Sequence, residues 1–123
     1  MRAAPSILII EDNDFALDVL SQLLPALGAG HVACARSAEA ALEILRSQKF
    51  SAILADYRLG GMDGVQFIEC LRAGGDQTPV LMISGTPDNA VVIRATKHPR
   101  VEFFGKPFHV AELMGAVEKL VAS

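Results

Sequence analysis

Residues 51–64 read Ser51-Ala-Ile-Leu-Ala-Asp56-Tyr-Arg-Leu-Gly-Gly-Met-Asp-Gly64. The stretch passes from an apolar run into one carboxylate and then into a glycine-rich loop. Ala52 to Ala55 is short, apolar and unbroken, the pattern of a strand covered on both faces. Asp56 stands where that strand runs out. In open α/β sheets, ligands collect beyond the carboxyl ends of the strands. Taken alone, Asp56 reads as a helix cap, a turn residue or a reactive group, and the rest of the chain has to decide between them.

Composition narrows the field. The chain has 123 residues, 51% hydrophobic and 20% charged. That suits one domain over residues 1–123 with a real core, and it argues against disorder. A formal net charge of −3 gives no electrostatic reason to expect direct nucleic-acid binding. Cys34 and Cys70 are isolated, without a CxxC pair or a histidine at ligand spacing, and read as small core residues of a reduced compartment. Met1-Arg-Ala-Ala-Pro5 has no apolar core of the signal-peptide kind. No run of about 18 apolar residues is present to span a membrane. A cytoplasmic protein without membrane attachment is expected.

Ser6–Ile10 is a β-branched apolar run that ends in Glu11-Asp12-Asn13-Asp14. Phe15, Val19, Leu20, Leu23, Leu24 and Leu27 then recur at helical spacing and predict an inward stripe. Asn13 or Asp14 can cap that helix, Pro25 strains its last turns, and Gly28 stops it. His31–Ala35 is a second strand. Ser37 caps a second helix, with Leu42 and Leu45 facing inward. After the central strand, Asp63-Gly64 opens a third helix with Val65, Ile68 and Leu71 inside, closed by Gly74-Gly75. Pro79–Ser84 is a fourth strand. Thr86-Pro87 starts a helix over Asp88–Thr96, whose Val91, Val92 and Ile93 are poor helix formers. Val101–Phe104 is a fifth strand and Gly105–Phe108 a loop. Val110, Leu113, Met114, Val117, Leu120 and Val121 stripe a last helix. Regular alternation of strand and helix predicts parallel βαβ units. The expected fold is an α/β three-layer sandwich, flavodoxin-like (βα)5, with strand order 2-1-3-4-5.

In that order the first and third strands are neighbours, so Glu11, Asp12 and Asp56 converge. Three uncompensated carboxylates repel and tend to protonate. The set makes sense around a hard divalent cation such as Mg2+, which favours a few carboxylates, a carbonyl and retained waters. Ser84 ends the fourth strand with a hydroxyl, and Lys106 follows the fifth with a positive point charge. Carboxylates, a metal, a hydroxyl and an ammonium around one point describe the surroundings of a phosphoryl group.

With these residues in place the whole chain resembles the response-regulator receiver domain of two-component signalling. The resemblance rests on Glu11-Asp12, Asp56, Asp63-Gly64, Ser84-Gly85 and Lys106-Pro107-Phe108, all at strand or helix ends and in order. It implies that Asp56 is the phosphoacceptor, served by a histidine kinase or a histidine phosphotransfer protein. It implies Mg2+ held by Asp12, Asp56, Glu11 through water, and the backbone carbonyl of Arg58. Ser84 and Lys106 would bond phosphoryl oxygens, and Gly85 would be structural. The Lys106–Pro107 bond would be cis. Phe103 takes the place of a switch aromatic, so that Ser84 and Phe103 together would remodel the face made by the fourth helix, fifth strand and fifth helix. A downstream protein target and a monomer or weak dimer are implied. The protein would not be an enzyme in the usual sense, though it would promote its own phosphorylation and dephosphorylation.

Several residues depart from the family pattern. Glu11 replaces the commoner Asp, Gly60 a frequent proline, and Gly105 adds freedom before Lys106. Phe103 lacks a tyrosine hydroxyl. Lys97-His98-Pro99-Arg100 stands where the family has a Gly-Ala pair, against the usual dimer through the fourth-helix face. Arg58 lies close enough to the site to influence the phosphoryl lifetime. Two other functions compete. A metal-dependent phosphohydrolase with Asp56 as nucleophile would want an acid at position 58, where Arg stands. A binding module without phosphorylation would have no need of every named group. Both a stand-alone regulator and a receiver cut from a hybrid kinase fit the chain.

Overall fold

A computed structural model describes residues 4–85, 89–106 and 109–122. The chain alternates β1 (Ile7–Ile10), α1 (Asp14–Ala26), β2 (Val32–Ala35), α2 (Ala38–Leu45), β3 (Ala52–Asp56), α3 (Gly64–Ala73), β4 (Val80–Ser84), α4 (Asn89–Thr96), β5 (Val101–Gly105) and α5 (Val110–Ala122). The five strands form one sheet in the order β2-β1-β3-β4-β5, all pairs parallel. The expected flavodoxin-like order is therefore the observed one.

Alternation along each strand divides the core into two layers. Leu8, Ile10, Ile53, Ala55, Val80 and Met82 meet Val65, Ile68 and Leu71 of α3 and Val91 and Ala95 of α4. Ile7, Ile9, Leu54, Leu81 and Ile83 meet Leu17, Leu20 and Leu24 of α1 and Leu113, Met114 and Val117 of α5. Each fully buried Ile or Leu is worth about 1.5–3 kcal/mol, so the central strands are the most firmly held part of the molecule. Helix starts follow the sequence signals. Asn13 accepts from the Ala16 N–H, Ser37 from that of Ala40, and Asp63 forms a reciprocal capping box with Gln66. Gly28 and Gly75 take φ of +116° and +85° where α1 and α3 end.

Three readings from sequence are corrected, and that of α2 is extended. The buried stripe of α1 is Leu17, Leu20 and Leu24, while Phe15 is 79% exposed and Leu23 and Leu27 are also open. The stripe keeps helical spacing but is turned toward Leu17, which faces the sheet. In α2 the fully buried residues are Ala38 and Ala41, with Leu42 and Leu45 packed at the margin. Cys34 and Cys70 are exposed, not core. Cys34 lies on the edge strand β2, and Cys70 is on the outer side of α3. Gly105 belongs to β5, not to a loop, because its Cα pairs with Ser84 and extends the ladder by one residue. The expected cap at Thr86-Pro87 and helix start at Asp88, the Lys106–Pro107 cis bond and Phe108 lie outside the described residues, as do the side chains of Val110, Leu120 and Val121. No helix among the described residues is long and apolar enough to cross a membrane.

Candidate functional site

The sheet order sets the site. Ile10 of β1 pairs with Ala55 of β3, so the residues that follow, Glu11 and Asp56, emerge side by side. The Glu11 N–H still donates to the Ala35 carbonyl at 3.0 Å, which holds Glu11 to the sheet edge. On the other side, the Lys106 N–H donates to the Ser84 carbonyl at 2.8 Å. That bond sets Lys106 just beyond β5 and aims its side chain back across β4. Its Nζ lies 2.8 Å from Asp56 Oδ2. The Arg58 N–H donates to Asp56 Oδ1 at 2.9 Å. Each carboxylate oxygen of Asp56 thus has its own donor, although the residue is only 7% exposed.

Glu11 and Asp56 influence each other strongly. Burial first, and then hydrogen bonding and repulsion from Asp56, push the Glu11 carboxyl up to about 7. Burial would raise Asp56 as well, but hydrogen bonds from Glu11, Lys106 and the Arg58 N–H outweigh it and hold Asp56 below its ordinary value. The two shifts oppose each other, so the proton the pair holds below about pH 7 is favoured on Glu11 and the charge on Asp56, which faces Lys106. A low-lying carboxylate kept anionic in a nearly closed site suits a nucleophile.

The other candidate residues fall into place unevenly. Ser84 is the last residue of β4 and fully buried, at the same sheet edge as Asp56. Arg58 is exposed beyond that edge. Phe103 in β5 is paired with Met82 and packs, half-buried, against the layer that contains Val91 and Ala95. A Cβ added at Gly85 would meet Lys106 Cδ at 3.9 Å, ordinary contact, so space does not require glycine there. Asp12 differs from expectation. It follows the last sheet-bonded residue and is exposed. Among the described residues, no three His, Cys, Asp or Glu side chains are gathered as a metal-holding group. The convergence expected of three carboxylates is realised for Glu11 and Asp56.

Two residues border the site in ways their sequence pattern does not give. Gly64 opens α3 with its N–H 2.9 Å from the Tyr57 carbonyl. A Cβ there would sit 3.0 Å from both the Asp56 carbonyl oxygen and Tyr57 Cα. Glycine is what lets the helix start lie against the backbone that carries Asp56. Gly64→Ala is expected to lower stability by about 1–3 kcal/mol and to slow any reaction of Asp56, read as a lower melting temperature together with reduced phosphoryl uptake. The second is Phe15. With Ala16, Val19, Leu20 and Ile83 it lines a cavity of about 240 Å³ that opens onto Glu11 and Lys106. The sequence carried a signal for it, since Phe15 is out of phase with the stripe of Leu17, Leu20 and Leu24.

Residues 7–118 match the response regulator receiver domain, and the chain belongs to that family of two-component signalling modules, which are not conventional enzymes. It is 33% identical over 114 residues to the response regulator protein TodT of Pseudomonas putida, a match covering 93% of this chain and 50% of the relative. It is 30% identical over 121 residues to the transcriptional regulatory protein FixJ of Bradyrhizobium diazoefficiens, covering 98% of this chain and 58% of the relative. The chain spans about half the length of such curated relatives. Among solved structures, the receiver domain of a sensor histidine kinase from Pseudomonas aeruginosa superposes with a TM-score of 0.85 at 26% identity, covering 98% of this chain and 100% of the other. That structure has a magnesium ion coordinated in its active-site cleft.

Proposed function

We propose that this receiver takes a phosphoryl group from a phosphohistidine onto Asp56 and thereby switches its protein contacts. The observation that carries the reading is the buried Asp56 carboxylate, 2.8 Å from Lys106 Nζ and beside Glu11 at the end of the adjoining strand. An Asp56 oxygen attacks phosphorus in line, the P–N bond to the donor imidazole breaks, and the imidazole nitrogen recovers a proton. Lys106 exchanges its partner from Asp56 to a phosphoryl oxygen, and the Ser84 hydroxyl donates to another. Two adjacent carboxylates, one forced to hold a proton near neutrality, fit a hard cation, which would take the place of that proton. Glu11, Asp56, Asp12 and the Arg58 carbonyl would hold Mg2+, and when bound it would neutralise charge on the phosphoryl oxygens.

The donor is a histidine kinase or a histidine phosphotransfer protein, and the output is contact with a downstream protein by a monomer or weak dimer. Some relatives are named as transcriptional regulators, yet the match covers only part of their length. The receiver itself is assigned no nucleic-acid contact. Phe15 lines a cavity that also touches Glu11 and Lys106, so a protein donor docked over that cavity covers it. Phe15→Ala is expected to slow transfer from a phosphorylated protein donor by about tenfold, while uptake from acetyl phosphate stays as it was. An equal loss with both donors would remove Phe15 from the docking surface.

Incubation with Mg2+ and acetyl phosphate tests the function itself. One phosphoryl group should be gained in the intact mass, and EDTA should prevent it. Continuous turnover of phosphate esters would point to a phosphohydrolase, and an unchanged mass to a module that binds without being phosphorylated.

A further inference from the structure

We propose that Arg72 and Glu69 of α3 form a clasp that pins the carboxyl end of α4, so that α4 responds to phosphorylation by swinging its amino end about a fixed pivot. The proposal rests on the phosphoacceptor reading of Asp56 and concerns where the resulting motion stops.

The clasp is built from side chains on one face of α3, one turn apart. Arg72 donates from Nε and Nη2 to the Pro99 carbonyl at 3.2 and 3.0 Å, and from Nη2 to the Arg100 carbonyl at 3.4 Å. Its Nη1 donates to the Asp76 carbonyl at 2.9 Å. A planar guanidinium spans three carbonyls in this way, whereas an ammonium lacks the fork. Glu69 holds Arg94, in the last turn of α4, at 3.0 Å. Ala95 between these ties is fully buried.

The segment gripped is Lys97-His98-Pro99-Arg100, the stretch that departs most from the family pattern. Its turn is made by a proline with fixed φ and by Arg100 at φ +60°, a conformation that favours glycine. A strained turn persists when its surroundings over-determine it, and Arg72 supplies that constraint. The Arg100 carbonyl also accepts the Val80 N–H at 3.0 Å, so the clasp ties the end of α4 to the start of the β4–β5 ladder. The clasp contacts themselves sit at Arg94 and beyond. The amino end of α4 instead follows the short connection from Ser84, the residue expected to move with the phosphoryl group. A helix driven from one end and bolted at the other pivots rather than slides.

Amide hydrogen exchange on the whole chain tests this, with and without Mg2+ and beryllofluoride, for wild type, Arg72→Met and Arg72→Lys. Without ligand, both variants should exchange the amides of Lys97, His98 and Arg100 about tenfold faster or more, with β3 unchanged. Arg72→Lys keeps the charge but not the fork, so wild-type exchange in that variant would overturn the clasp. With beryllofluoride, wild type should change at Asn89–Ile93 and not at Lys97–Arg100, and in Arg72→Met the change should spread through both. Equal changes at both ends of α4 in wild type would overturn the pivot. No change anywhere with beryllofluoride would overturn the phosphoacceptor reading and leave Arg72 a static brace, an outcome distinct from failure of the clasp.

Discussion

Asp56→Asn is expected to abolish phosphoryl uptake from acetyl phosphate outright, while the metal-free fold keeps or gains stability. The amide nitrogen and oxygen occupy the same volume as the carboxylate, and the carbonyl oxygen can still accept from Lys106 or from the Arg58 N–H, which contact Asp56 at 2.8 and 2.9 Å. What is lost is an anionic oxygen able to attack phosphorus. No neighbour can substitute: Glu11 carries the shared proton, and Asp12 is exposed beyond the sheet edge. Stability does not fall, because the substitution also removes the charge that repels Glu11. Intact mass after acetyl phosphate, together with thermal melting in EDTA, reads both halves. Residual stoichiometric uptake by the variant would mean that another side chain is the acceptor.

A second large effect lies in the pH dependence of the metal-free protein. Glu11 has its carboxyl raised from 4.5 to about 7 by burial and by Asp56, so the folded state binds that proton more tightly than the unfolded state. Its contribution is complete at pH values below 4.5 and is lost as the pH rises through about 7. Asp56 acts in the opposite sense. Its lowered value gives stability that is present above the ordinary carboxylate range and lost as the pH falls below it. Between pH 5 and 8 the Asp56 contribution is constant, so the loss of about 2 kcal/mol across that range belongs to Glu11 alone. Glu11→Gln cannot ionise, so in EDTA it should melt above wild type at pH 8 and close to it at pH 5. Saturating Mg2+ should restore wild type at pH 8, and at pH 6 its binding should release a proton. A difference between wild type and Glu11→Gln that does not vary with pH would contradict the shared proton.

Strand order and the meeting of Glu11, Asp56 and Lys106 were legible from residue pattern because they follow from topology. Once β1 and β3 are adjacent, with Ile10 opposite Ala55, the next residues have to meet. Adjacency along the chain does not tell which of two consecutive acids stays bonded to the sheet: Glu11 keeps the bond to Ala35, and Asp12 beyond it is exposed. Hydrophobic spacing found α1 with its buried Leu20 and Leu24 but included Phe15, Leu23 and Leu27 and left out Leu17, because these residues fit overlapping helical phases and only packing on the sheet selects among them. Cys34 looked like core by residue type, and its exposure comes from its place on an edge strand. The close approach of Gly64 to the Asp56 backbone and the grip of Arg72 on Pro99 and Arg100 are contacts between distant segments, which neither propensity nor spacing encodes.

The proposed function depends on the carboxylate facing Lys106 being the group that takes phosphate. Borohydride reduction of the freshly phosphorylated chain, followed by peptide mapping, addresses it directly, because an aspartyl phosphate is reduced to homoserine where it stands. The account predicts reduction at position 56 alone, in a peptide containing Ser51–Gly64. Reduction at Glu11 or Asp12, or a phosphoryl group mapped to a histidine, would contradict it.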